Sequence, residues 1–108
     1  MNWQQLTDIK QLEQLKEQSF QAPVLFFKHS KRCSISTMAL NRFEREWDNK
    51  QVQPYFLDLL NFRDLSSQIS EKFEVEHQSP QVLLIKDGIC VYNASHNLIS
   101  ASTINEYC

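Results

Sequence analysis

Val24-Leu25-Phe26-Phe27-Lys28-His29-Ser30-Lys31-Arg32-Cys33-Ser34-Ile35-Ser36 decides how the rest of the chain is read. Its first half is a nearly unbroken apolar run with little alternation, the pattern of a strand covered on both faces. Its second half opens a segment in which Ile35, Met38, Ala39, Phe43 and Trp47 recur with helical spacing and are expected to face the core. A cysteine thus stands where a strand gives way to a helix. The first N–H groups of a helix lack intrahelical partners, and its dipole adds roughly half a positive charge there. Both favour a thiolate, as do the neighbouring Lys31 and Arg32. Cysteines in such surroundings ionise at roughly pH 3.5–7.5, against about 8.5 for a free thiol. The alternative is a packing role, since cysteine is among the most buried residue types. The flanking serines and basic residues weigh against packing and for a nucleophile.

The 108 residues suffice for a single domain, residues 1–108, with a core of its own. A net charge of −2 gives no pull toward nucleic acid or acidic membranes. No stretch approaches the roughly 18 apolar residues of a membrane span. The start, Met1-Asn2-Trp3-Gln4-Gln5, lacks the basic-then-apolar order of a signal peptide. The expectations are therefore a cytoplasmic monomer with no nucleic-acid or membrane partner. The single glycine, Gly88, excludes glycine-rich phosphate loops. Cys33, Cys90 and Cys108 are an odd number with no local pair, which argues against a disulfide scaffold and fits a reducing compartment. The absence of Cys-x-x-Cys argues against zinc, and His29 with Cys33 would make only half a metal site.

Outward from that stretch, Leu6, Ile9, Leu12 and Leu15 predict a helix over roughly residues 8–18, capped by Thr7 or Asp8. Asp48-Asn49-Lys50 stops the helix that Cys33 opens. Val52 to Leu60 reads as a strand, and Asn61 as the cap of a helix with Leu65, Ile69 and Phe73 facing inward. Val82 to Ile85 is a short strand, and Asp87-Gly88 is a hairpin signal that returns Ile89 to Tyr92 antiparallel. Cys90 lies in that return strand and is expected to be structural. Ser100 or Ser102 caps a last short helix. The order is an α/β domain with a central mixed sheet, in which right-handed crossovers make the strands at 23–28 and 52–59 parallel neighbours. Ser79-Pro80 stands just before a strand, where a proline without an N–H does least harm. From the residues alone it reads as an ordinary trans proline.

A nucleophilic cysteine at the start of the second long helix, followed by Ser79-Pro80, an apolar strand and Lys86-Asp87-Gly88, resembles the thioredoxin superfamily over nearly the whole chain. The resemblance implies a thioredoxin-like fold, a cis Pro80 beside Cys33, and Ser79 and Pro80 as a clamp whose backbone pairs with substrate like an added strand. Ser36 occupies the place of the second cysteine of dithiol members, so Cys33-Ser34-Ile35-Ser36 is a monothiol Cys-x-x-Ser site. More narrowly, His29-Ser30-x-x-Cys33-x-Ile35-Ser36-x-x-Ala39, with Ser95-His96, is similar to the monothiol bacilliredoxins of the YtxJ-like branch. Their motif usually has proline where this chain has Ser34, a departure that bears on rigidity and redox poise and leaves the nucleophile intact. This resemblance implies an enzyme that removes bacillithiol from protein mixed disulfides. Its partners would be bacillithiolated proteins and a low-molecular-weight thiol, and it would need no metal. Ser36 is expected to donate a hydrogen bond to the Cys33 thiolate. Bacillithiol joins cysteine to glucosamine and malate, so Lys31 and above all Arg32 are expected to meet its carboxylates, within a basic group that also includes Lys28 and His29, although strand alternation must point these last two to opposite faces.

Three other readings compete. Low-molecular-weight phosphatases and arsenate reductases place arginine six residues after their cysteine, where this chain has Ala39. Cluster-carrying monothiol glutaredoxins have glycine and phenylalanine after the cysteine, where it has Ser34 and Ile35. The third is a thioredoxin-fold adaptor module whose cysteine no longer turns over.

Overall fold

The computed structural model describes residues 1–108. The chain runs β1 (Gln4–Gln5), α1 (Ile9–Gln18), β2 (Val24–His29), α2 (Ser34–Glu46), β3 (Gln53–Asp58), α3 (Arg63–Phe73), β4 (Gln81–Lys86), β5 (Ile89–Ser95), a 3-10 turn (His96–Leu98) and α4 (Ala101–Tyr107). The five strands form one sheet in the order β1-β3-β2-β4-β5. β2 pairs parallel with β3 and antiparallel with β4, and β5 closes the hairpin. This is the mixed sheet expected from the sequence.

β2 lies at the centre, and all six of its residues are buried. Alternation along a strand sends successive side chains to opposite faces. Val24 and Phe26 join Leu12, Leu15, Leu65, Ile69 and Phe73 in one core beneath α1 and α3. Leu25 and Phe27 join Ala39, Phe43, Ile99 and Ile104 in a second core beneath α2 and α4. The same rule parts the last two residues of the strand: Lys28 goes to the α3 side and His29 to the α2 side.

Asp8 is the N-cap of α1, with Gln11 completing a capping box. The α1 stripe is corrected at Ile9, which is exposed, while Leu6 is buried ahead of the helix through its link from N–H to the Phe56 carbonyl. Asn61 does not cap α3. Phe62 holds that position without a side-chain bond, and Asn61 Nδ2 instead donates to Asp58 Oδ2 at 2.7 Å. At the hairpin, Asp87 and Gly88 have φ of 54° and 80°, both in the left-handed region that two-residue turns need. Ser100 caps α4 by accepting from the Thr103 N–H. No helix is long and apolar enough to cross a membrane.

Candidate active site

Three segments meet at one end of the sheet: the loop from β2 into α2, the end of β3, and the loop into β4. Cys33 is the N-cap of α2, with extended backbone, and its carbonyl accepts from Thr37 N–H at 3.1 Å. Its thiol is half-buried and makes no hydrogen bond. Nothing within the protein therefore occupies the sulfur at the positive end of the helix.

The first turn of α2 differs from the expected stripe. Ile35 and Met38 are 52% and 69% exposed, and the residues buried against the sheet are Ser36, Ala39 and Phe43. The inward face is set by Phe43 and Ala39, and one turn earlier it falls on a serine. The apolar residues beside Cys33 are left on the surface.

Ser36 is fully buried, and its hydroxyl is engaged by the end of β2 and the residue after it. Its oxygen lies 2.7 Å from His29 Nδ1 and accepts from Ser30 N–H at 3.1 Å. The expected bond from Ser36 to the sulfur is not formed, because the hydroxyl ties the end of β2 to the helix. Burial, only partly offset by the Asp58 carboxylate, holds His29 below its ordinary value.

Lys31 and Arg32 are both exposed. Lys31 Nζ lies 3.3 Å from Asp58 Oδ2, while Arg32 makes no ion pair or side-chain hydrogen bond. Burial pushes the Asp58 carboxyl up, but the Asn61 bond and Lys31 together bring it below its usual range. Lys28 must be removed from the basic group before the nucleophile. Its ammonium is buried on the other face of the sheet, donating to the Ser66 carbonyl, Ser70 Oγ and His77 Nδ1 at 3.2–3.3 Å. Burial lowers Lys28 to about 8.

The Ser79–Pro80 peptide is cis. Lys28 pairs with Gln81 in register, so Pro80 follows opposite His29, at the end of the sheet that carries the Cys33 loop. Gln81 braces this loop: its Nε2 donates to the Glu76 carbonyl and its Oε1 accepts from Gln78 N–H. The Pro80 carbonyl accepts from His96 N–H at 3.1 Å. Between these braces the Ser79 backbone N–H and carbonyl have no partner, and its buried hydroxyl is also unpaired.

The remaining cysteines stand elsewhere. Cys90 pairs across the sheet with Ile85, itself opposite Val24 at the far end of β2. Burial raises its thiol, which donates to the Tyr92 carbonyl. Cys108 lies beyond α4 next to Asn49, past the other end of α2. No group of three or more His, Cys, Asp or Glu side chains is placed to hold a metal ion. Sequence reasoning missed the His29–Ser36 pair and Asp58. Strand alternation already parted His29 from Lys28 in the sequence, but did not reveal the serine that His29 meets.

Comparison with known proteins agrees with this geometry. A solved thioredoxin-fold protein inferred to be an oxidoreductase is 33% identical, with 94% of this chain and 89% of that chain covered at a TM-score of 0.81. Thioredoxin from Malassezia sympodialis matches at 18% identity over 98% of this chain and 87% of its own, with a TM-score of 0.71. A mutant thioredoxin from Halobacterium salinarum matches at 14% identity over 95% and 84%, with a TM-score of 0.70. The last two establish the fold alone. The sequence profile described as monothiol bacilliredoxin BrxC matches residues 4–104. With that match spanning almost the whole chain and a lone thiol at the head of α2, the chain belongs to the monothiol bacilliredoxin BrxC family of thioredoxin-fold oxidoreductases.

Proposed function

We propose that this protein removes bacillithiol from protein mixed disulfides through Cys33. The observation that carries the reading is the isolation of this thiol: Ser36 stands where a resolving cysteine would, and the other two cysteines lie toward the opposite end of the sheet. A thiol with no internal partner suits a cycle in which every disulfide it makes is mixed.

In the first step the Cys33 thiolate attacks the bacillithiol-side sulfur of the modified protein. The new S–S bond forms as the old one breaks, and the protein sulfur leaves as a thiolate that takes a proton. Cys33 then carries bacillithiol until a second thiol from solution attacks it, returning Cys33 as thiolate and leaving bacillithiol as a new disulfide. The best attacking thiol ionises near ambient pH, because nucleophilicity falls along with pKa. The free backbone groups of Ser79 support a clamp for an extended segment of the protein substrate. The exposed Ile35 and Met38 offer it apolar contact. Arg32, without a partner, is the candidate for a malate carboxylate, while Lys31 is shared with Asp58. A cytoplasmic monomer in a bacterium that makes bacillithiol belongs to the same proposal.

Mass spectrometry after incubation with a bacillithiolated protein tests it. Transfer of one bacillithiol to the Cys33 peptide, release of the protein thiol and loss of both in Cys33→Ser are expected. Cys90→Ser should retain transfer. Full activity of Cys33→Ser would end the proposal, and a Cys33 that never accepts bacillithiol would favour an adaptor without turnover.

A further inference from the structure

On the α3 side of the sheet a buried charge has no opposite number, and a cavity lies beside it. The Lys28 ammonium is held by the Ser66 carbonyl, Ser70 Oγ and His77 Nδ1, all uncharged. Lowered only to about 8, Lys28 keeps its proton at neutral pH. An ammonium donates and cannot accept, so Nδ1 is the bare nitrogen and the neutral ring carries its proton on Nε2. Burial, and after it the Lys28 charge, holds His77 below its ordinary value, so the ring is neutral there. Nε2 makes no hydrogen bond within the protein, while His77 is exposed and lines a cavity of about 320 Å³. Leu59, Leu60, Arg63, Ser66 and Ser67 complete the lining. Liquid water occupies roughly 30 Å³ per molecule, so this space exceeds the need of one ordered water. Arg63 and Ser67 are exposed, and neither the guanidinium nor the hydroxyl has a partner in the protein. No carboxylate lines the cavity. Asp58, just before Leu59, is engaged by Lys31 and Asn61. Asp8 and Asp64 line an adjoining cavity, where no ion pair joins them to Arg63.

We propose that this cavity is an anion site, in which the Arg63 guanidinium, the Ser67 hydroxyl and the His77 Nε2–H hold a carboxylate or phosphate group beside the buried Lys28 ammonium. Donation from Lys28 polarises the ring and strengthens Nε2–H as a donor, since linked hydrogen bonds reinforce one another. The guanidinium adds a full charge and a two-pronged grip on a planar carboxylate or a phosphate. An anion there supplies the counter-charge that the contacts of Lys28 lack. The cavity stands at the end of the sheet that carries Cys33. Leu59 N–H donates to the His29 carbonyl at 2.9 Å, and His77 lies two residues before Ser79. An occupant therefore joins α3 to the loop that bears the Ser79 clamp. Two sources share this chemistry, the malate end of bacillithiol carried on Cys33 and a free anion from solution. The first rests on the proposed function, while the anion site itself does not.

NMR titration of the intact protein with L-malate, and separately with inorganic phosphate, at low chloride tests the site. Saturable shifts of the His77 ring nitrogens and the Ser67 amide are expected with at least one of the two. Arg63→Gln should weaken that binding roughly tenfold, the loss of one charge-assisted hydrogen bond. His77→Phe, which keeps a ring and removes both nitrogens, should weaken it as well. If His77→Phe does not fold, the wild-type shifts and the exposed Arg63→Gln decide alone. No saturable shift with either anion overturns the site, as does equal affinity in wild type and Arg63→Gln. Binding lost in Arg32→Gln and kept in Arg63→Gln would place the anion before Cys33 and overturn it too. The same titration on protein carrying bacillithiol as a mixed disulfide on Cys33 separates the sources. With the malate end in the cavity, the His77 shift precedes any added malate, and malate no longer binds. With a free anion as the occupant, malate binds as before. Saturable malate binding in a protein whose Cys33 never accepts bacillithiol would overturn the substrate assignment and leave the anion site standing.

Discussion

Lys28 keeps an ammonium group inside the domain with only neutral partners, Ser66, Ser70 and His77. Its three N–H donors are satisfied, but no carboxylate balances the charge, which is why burial lowers it to about 8. The unfolded chain holds this proton up to near 10.5, so between those values the unfolded state binds more protons and stability rises with pH. The gain across that window is of order 3 kcal/mol at most. Tyr55, Tyr92 and Cys90 are held above their ordinary values and pull the other way as the pH rises. Urea midpoints of wild type and Lys28→Met between pH 7 and 10 isolate the Lys28 part. The difference between the two should shift in favour of wild type as pH rises through about 8. A constant difference would show that folding leaves the proton affinity of Lys28 unchanged. A second prediction belongs to Arg32, whose guanidinium is the unpaired cation next to Cys33. Arg32→Ala should slow exchange with bacillithiol disulfides more than with a neutral small disulfide, and added salt should narrow the gap. Equal slowing of both would confine Arg32 to the thiolate.

Among the elements, the β4–β5 hairpin shows how one residue fixes a connection. Gly88 has φ of 80°, its N–H donates to Ser19 Oγ at 2.8 Å, and a Cβ there would come within 2.7 Å of the Phe20 ring. Gly88→Ala should therefore lower stability by about 1–2 kcal/mol, most of it from the left-handed backbone, since the half-exposed Phe20 can move. Urea unfolding reads this directly, and a loss below about 0.5 kcal/mol would mean that the turn relaxes to another type. Elements like this hairpin were legible in the sequence because their signals are local: Asp87-Gly88, the apolar run of β2, and Asp8 ahead of α1. The start of α2 was legible only in part. Its period was correct, but a stripe read from apolar residues alone placed Ile35 and Met38 inward, where the helix in fact turns Ser36. A serine at a core position carries no apolar signal, and its reason for being there, His29, comes from another element. The α3 cap failed similarly, because Asn61 found a better partner in Asp58 than in the helix end. The cis state of Pro80 came from resemblance and not from the residues themselves.

At the scale of the whole molecule, α2 separates two kinds of cysteine. Cys33 stands at its head, and Cys108 lies beside Asn49, beyond its tail. A helix of 13 residues at about 1.5 Å per residue holds the two roughly 20 Å apart. A disulfide needs Cα atoms within about 7 Å. Cys108 is further engaged through donation to the Ile104 carbonyl, and burial raises its thiol above the ordinary value, which leaves less of it as the reactive thiolate. Closing the gap would require α4 to detach and pull its own Ala101 and Ile104 out of the core. Mild oxidation with diamide, followed by peptide mapping without reduction, should accordingly give no intramolecular Cys33–Cys108 bridge in the folded protein. Added low-molecular-weight thiol should cap Cys33 instead, and dilution should not change that result, since no internal competitor exists. A Cys33–Cys108 disulfide formed in high yield from dilute folded protein would show that α4 detaches under native conditions. The protein would then resolve its own mixed disulfides with a terminal thiol, and the dependence on an outside thiol would be withdrawn.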